Sequence, residues 1–278
     1  MKTSGYSQIF VTLLHEGTLA AELVSAGVTT LRQASTPRSG LFELALFNLS
    51  IGFERMCKLT VLLDYRISNK GSFPSNDILK NTYGHDLDKL FLSVDRIVGE
   101  RKIAVEYSRP LTSEIHREII STLSEFAKTT RYYNLDYLTG GKAANLQSGR
   151  AAWVNRVGKL ILAKHYSARK QIRDVLEAQE LQSSMGDAVS GIRFDEMGKS
   201  IDTLEEGLIH GAEGRVIQKF GQFYCLQLIR YLAAVLEELR RISQLDGFQD
   251  IPFFGEIFAW FLNEDAMLKS RKTWRIPE

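Results

Sequence analysis

The chain has 278 residues, of which 44% are hydrophobic and only five are proline, so it can bury one large core or two smaller ones without metals or disulfides. A formal net charge of +2 gives no strong bulk attraction to nucleic acid. The two cysteines, Cys57 and Cys225, sit far apart within apolar helical patterns; that excludes a disulfide framework and points to core thiols in a reducing, cytoplasmic setting.

In chain order, the first element is a helix interrupted by His15, Glu16 and Glu22, which leaves no apolar core of a signal peptide. Apolar residues then recur at three- and four-residue intervals almost throughout, alternation of period two is scarce, and prolines fall only at positions 37, 74, 110, 252 and 277. The pattern is all-α, with prolines placed at or before first turns. A helix from about 40 to 65 is apolar around most of its circumference and should lie near the centre of the core. Glu43, Ser50 and Glu54 nevertheless share one direction on it, within about 20° at 100° per residue. Glu54 either pairs with Lys58 at i,i+4 on a seam or anchors a buried polar site.

Gly84 and His85 open a helix to about 98, with Asp86 and Asp88 in its first turn, where the helix dipole favours carboxylates. A helix from about 111 to 130 follows and runs into Arg131-Tyr132-Tyr133-Asn134, and Gly140-Gly141 closes the region. A long helix from about 143 to 182 is expected to use Trp153, Val157, Leu160, Ile161, Ile172 and Leu176 as core contacts. Residues 183–199, rich in Ser, Gly and Asp, read as a linker or loop, and helices near 200–210, 215–244 and 254–270 complete the chain. The strongest apolar run, Phe223 to Leu236, contains Arg230 and falls short of the roughly 20 residues of a membrane span, so no membrane segment is expected.

Three patterns occur in a set order: Leu44-Ala45-Leu46-Phe47 through Gly52-Phe53-Glu54-Arg55-Met56-Cys57-Lys58; then Tyr83-Gly84-His85-Asp86-Leu87-Asp88-Lys89-Leu90; then Phe126-Ala127 through Arg131-Tyr132-Tyr133-Asn134. In this order, over residues 36–140, the chain resembles the HEPN superfamily of small helical bundles. The resemblance implies a HEPN-like core with additional C-terminal helices: an N-terminal helix over 1–35, the bundle and its following helix over 36–183, and a helical extension over 184–278. It also implies a homodimer and a role in binding or cleaving RNA, in a stress, toxin–antitoxin or phage-defence setting. Arg131, His85 and Glu54 would then be the catalytic candidates, with Tyr133, Asn134, Arg150 and Arg156 contacting RNA phosphate. Ribonucleases of the family carry the motif arginine followed after four to six residues by a histidine, whereas the positions that would hold it here are Asp136, Tyr137 and Leu138. Arg109 and His116 have a comparable separation, but Pro110 follows the arginine directly. The competing reading is a non-catalytic module that binds a protein partner, with Arg131 satisfying Glu54 or helix carbonyls.

Charge is uneven along the chain. Residues 128–173 carry ten basic side chains against Asp136 alone, and 174–214 carry ten acidic ones against Arg193 and Lys199. Such segments make either a phosphate-binding face beside an acidic region or two surfaces that meet. A second basic-aromatic run, Lys269 to Arg275, reads as a tail with Trp274 docked on the body. Phosphate-loop, dinucleotide and zinc motifs are absent from the sequence, and no cofactor or metal is expected.

Overall fold

The computed structural model describes residues 5–185 and 193–275, and the architecture is an all-α bundle. Helix α1 (Gln8–Gln33) starts at Ser7, whose hydroxyl accepts the Phe10 N–H at 3.1 Å. It lies along α2 (Gly40–Ser68). The two backbones approach through glycines: a methyl group on Gly27 would stand 2.7 Å from Leu49, and one on Gly52 would stand 2.5 Å from Val24. By length and composition α1 could cross a membrane. Its apolar side is instead packed inside the bundle, with Ala20, Ala21, Val24, Val28 and Leu31 fully buried against α2 and α10 (Leu204–Leu245).

As its all-round apolar sequence implies, α2 is central and touches α1, α10, α4 (Leu87–Glu100) and α5 (Glu114–Lys128). Leu46, Leu49, Phe53, Met56, Cys57 and Leu63 are completely buried along it. Short α3 (Asn76–Thr82) precedes α4 and α6 (Tyr133–Thr139) follows α5, ending at Gly140 with φ +69°. Trp153 and Trp274 are both core residues, as expected. Cys57 and Cys225 are free thiols, also buried.

Past residue 140 the elements depart from expectation. The helix expected over 143–182 is divided: α7 (Gly149–Ala152) passes through a π-helical stretch, Trp153–Gly158, into α8 (Lys159–His165), and α9 (Ala168–Met185) then begins afresh. Side chains make the corner. Ser167 accepts the Lys170 N–H at 3.4 Å, Gln171 donates to the Tyr166 carbonyl at 2.7 Å, and the Tyr166 hydroxyl donates to Asp174 at 2.9 Å. The turn exposes Ile172 and Leu176, so neither is a core contact.

The reverse happens downstream, where the helices expected near 200–210 and 215–244 fuse into the 42 residues of α10. A reciprocal capping box between Thr203 and Glu206 starts it, and Gly247 at φ +90° follows its end. Gly211 and Gly214 cost the helix about 1 kcal/mol each relative to alanine, which the burial of Val216 through Leu239 on the same rod outweighs. A small antiparallel ladder pairs β1 (Arg193–Phe194), in the linker expected over 183–199, with β2 (Ser200–Ile201), where a helix is expected to begin; residues 186–192 of that linker lie outside the described residues. The last expected helix is two short ones, α11 (Phe254–Ile257) and α12 (Asp265–Ser270), separated by a 3-10 turn.

Candidate functional site

The structure brings part of the three-segment sequence pattern together. Glu54, on α2, accepts from Lys58 Nζ at 2.7 Å and faces His85 Nδ1 at 2.9 Å. Its side chain is only 13% exposed against 61% for His85, so the histidine closes over the carboxylate from outside. Next in sequence, Asp86 caps α4 by accepting the Lys89 N–H at 3.2 Å, and its other oxygen takes Lys128 Nζ at 3.1 Å from the end of α5. Glu54, His85, Asp86 and Lys128 therefore tie α2, α4 and α5 together. Both readings of Glu54 meet here, since it pairs with Lys58 and also joins a second element.

Arg131 makes no hydrogen bond or ion pair with Glu54 or His85 among the described residues; its guanidinium lies over the Phe47 ring at 5.3 Å. Tyr133 stacks with Tyr137 at 6.2 Å, and Asn134 is exposed. Arg150 is half-buried. Arg156 is engaged by protein carboxylates: it bonds Glu118, Glu125 at 2.8 Å and the Ser121 hydroxyl at 3.0 Å. Arg109 pairs with Asp95 at 3.6 Å, away from His116.

His116 points elsewhere, into a cleft of about 780 Å³ between α5, the end of α8, the middle of α10 and the 262–269 segment. Tyr224 is its hub. The Tyr224 hydroxyl is 2.8 Å from His165 Nε2, and the His116 ring meets the tyrosine edge-on at 5.3 Å. His165 lies flat on Phe220, with ring centres 3.7 Å apart and planes 4° from parallel. Burial holds the His116 pKa down to about 4; Lys164 pushes the same way, while Gln227 and Asp265 oppose it. Burial, Lys164 and Lys269 also lower the pKa of His165. The two imidazoles are thus mainly neutral at pH 7.

Arg230 frames the floor of this cleft. It donates to the Asn263 carbonyl at 2.6 Å and to Asp265 at 2.7 Å, and it stacks on Tyr107 at 4.2 Å. Lys164 lies 5.6 Å from the Tyr224 ring centre and Lys269 lies 4.7 Å from that of Phe223. Neither lysine enters an ion pair among the described residues, and the same cleft is lined by the carboxylates of Glu106, Glu264 and Asp265.

His165 and Phe223's helix separate this first lobe from a second, of about 690 Å³, which His165 also lines. Five cations bound the second lobe: Arg32 at the end of α1, Lys170 at the start of α9, Arg215 and Lys219 on α10, and Lys272. Among the described residues no acidic one lines it. The 271–275 segment is held there by Trp274, whose carbonyl accepts from Ser25 at 2.8 Å and from Thr29 at 3.0 Å, while its N–H donates to Thr29 at 2.9 Å. Gln222 adds bonds to the Val28 carbonyl at 3.2 Å and the Lys272 carbonyl at 2.9 Å. The α8–α9 corner sets Lys164 and His165 on one side of the break and Lys170 on the other.

Sequence reasoning missed this cleft. Its signals were present, in the basic run from Lys164 to Arg173 and the basic-aromatic run around Trp274; what no spacing showed is that α10 sets them side by side. Comparison with family models, with curated proteins and with solved structures gives no significant match for the chain.

Proposed function

We propose that this is a HEPN-like, cytoplasmic RNA-binding protein that receives the RNA backbone in the two-lobed cleft around His165. The supporting observation is the second lobe, lined by five cations and, among the described residues, by no carboxylate; it shares His165 with a first lobe that presents Lys164, Lys269 and Tyr224 beside Glu106, Glu264 and Asp265. Phosphodiester backbones need cations that are not already neutralised, and bases released from pairing need aromatic or imidazole faces. By contrast, Arg156 is already neutralised by two carboxylates, and Glu54 with His85 forms a tie between helices. The resemblance of residues 36–140 to HEPN proteins is supported by the direct contacts among Glu54, His85, Asp86 and Lys128, which join its motif segments.

The test is titration of the purified chain into a labelled single-stranded RNA over a range of salt concentrations, with photocrosslinking to locate the contact. Binding that weakens steeply with salt, with crosslinks on α10 and the 269–275 segment, supports the reading. Absence of salt-dependent binding, or crosslinks confined to the Arg131–Asn134 face, overturns it. The same incubation reads cleavage, for which neutral His165 beside a bound phosphate is the proposed proton acceptor.

A second reading is favoured by one surface. Leu135, Tyr137 and Leu138 on α6 are 61%, 65% and 79% exposed, an apolar face beside the Arg131 run. We assign it to contact with a second copy of the chain, in line with the dimer the family resemblance implies.

A further inference from the structure

The charge density of the second lobe exceeds what an RNA backbone requires. A phosphodiester chain brings one negative charge per nucleotide, spread along its length, and a groove that tracks it spreads its cations likewise. Here Arg32, Lys170, Arg215, Lys219 and Lys272 converge on a single space of about 690 Å³ from four separate parts of the chain. None of them forms an ion pair among the described residues. Among the described residues no carboxylate lines the wall between them, so a concentrated anion entering the space would meet cations from several sides.

The lobe is also built rather than accidental. Lys272 is held in place by the Trp274 and Gln222 bonds that pin its segment to α1. Arg32 is partly withdrawn from water by burial, which lowers its pKa. Gln33, Gln218 and Thr273 add neutral side chains that can hydrogen-bond to the same space. His165, which lines both lobes, is stacked on Phe220 of the second, a flat surface of the kind on which a base or sugar packs.

We propose that the second lobe is a receptor for a terminal polyphosphate: the diphosphate or triphosphate group of a nucleotide or of an RNA 5′ end, in which several negative charges sit on adjacent phosphorus atoms. The nucleoside leaves the lobe past His165 and Phe220 into the first lobe. This rests on the reading of the cleft as an RNA site and narrows it from backbone binding to end recognition. It needs no bond made or broken.

The experiment compares three RNAs of one sequence, labelled at the 3′ end and bearing a 5′-hydroxyl, 5′-monophosphate or 5′-triphosphate, with ATP and inorganic tripolyphosphate as competitors against the full chain. The triphosphate end should bind at least about tenfold more tightly than the hydroxyl end, a difference of about 1.4 kcal/mol. That preference should disappear in Lys219→Ala/Lys272→Ala, whose exposed side chains can be removed without loss of unfolding midpoint. Displacement by ATP and tripolyphosphate alike marks the polyphosphate as the recognised group, while displacement by 5′-triphosphate RNA alone assigns the source to RNA ends. Equal affinity for all three RNAs overturns the inference and leaves RNA binding standing. A preference undiminished in the double variant also overturns it, because the end is then read elsewhere. Binding of tripolyphosphate without any RNA supports the lobe and sinks the RNA reading; binding of nothing sinks both.

Discussion

Replacing Trp274 with alanine tests whether the extended 271–275 segment belongs to the core and to the cleft at once. The indole is 2% exposed and stacks on Phe261 at 5.6 Å. A buried aromatic of this kind removes about 150–250 Å² from water, and large-to-small replacement of Trp in cores costs about 3–5 kcal/mol. We expect Trp274→Ala to lose about 4 kcal/mol, read by urea denaturation with circular dichroism, and to lower the melting temperature by about 10 °C. The three hydrogen bonds from the Trp274 backbone to Ser25 and Thr29 hold the same segment, so loosening it should displace Lys272 and weaken RNA binding. Lys272→Ala supplies the control: weaker binding at unchanged stability. A Trp274→Ala chain that loses under about 1 kcal/mol, or that binds RNA like the parent, would refute the account of this segment as the wall of the second lobe.

The remaining predictions concern the bundle and its charges. With the His116 ring held at about 4 against an ordinary 6.5, the native state binds the proton more weakly than the unfolded chain. Stability should therefore fall as pH drops from about 6.5 to 4, by about 3 kcal/mol in total; His116→Phe should flatten that slope in pH-dependent denaturation, and an unchanged slope would remove His116 as its source. The Glu196–His210 pair, 2.7 Å apart, works in the opposite sense on its basic flank: hydrogen bonding to Glu196 raises the His210 pKa, so its contribution is present below the unfolded pKa and is lost as pH rises through the folded one. His210→Ala should abolish that loss. Glu54→Ala should cost more stability than His85→Ala, because the carboxylate serves two partners and is the more buried, and a double-mutant cycle should show coupling of about 1 kcal/mol or less; a larger effect of His85→Ala would contradict the tie between helices. Gly52→Ala should destabilise by about 1–3 kcal/mol through collision with Val24, visible as a lower urea midpoint. Leu135→Lys/Leu138→Lys should convert a dimer into a monomer by light scattering, and a mass that is the same for parent and variant would remove α6 as the contact.

Helix content was legible because the apolar period of α2, α4 and α5 is strong and their buried faces match it residue by residue. The central place of α2 followed from its all-round apolar surface, and the docking of Trp274 from its lone aromatic in a basic tail. Breaks and fusions were not legible. The α8–α9 corner depends on Tyr166, Ser167 and Gln171 bonding back to the chain, groups that a helix tolerates equally well when they point to solvent. The fusion within α10 depends on tertiary burial overriding two glycines. The Glu54–Lys58 pair was visible at i,i+4, but its junction with His85 spans 31 positions, and the cleft joins segments still farther apart. A charge count along the chain located the basic segment without revealing that Arg156 is spent on Glu118 and Glu125.

The wall of the second lobe is shared by Arg32 and Gln33 on one side and Lys272 and Thr273 on the other, held together by bonds between residues 245 and 249 positions apart. During synthesis the first helices can fold while most of the chain is still being made, yet this space has no second wall until residue 274 has emerged and docked. A growing chain can therefore pack α1 on α2 before this wall exists, and products that stop short of residue 274 would lack one side of the second lobe.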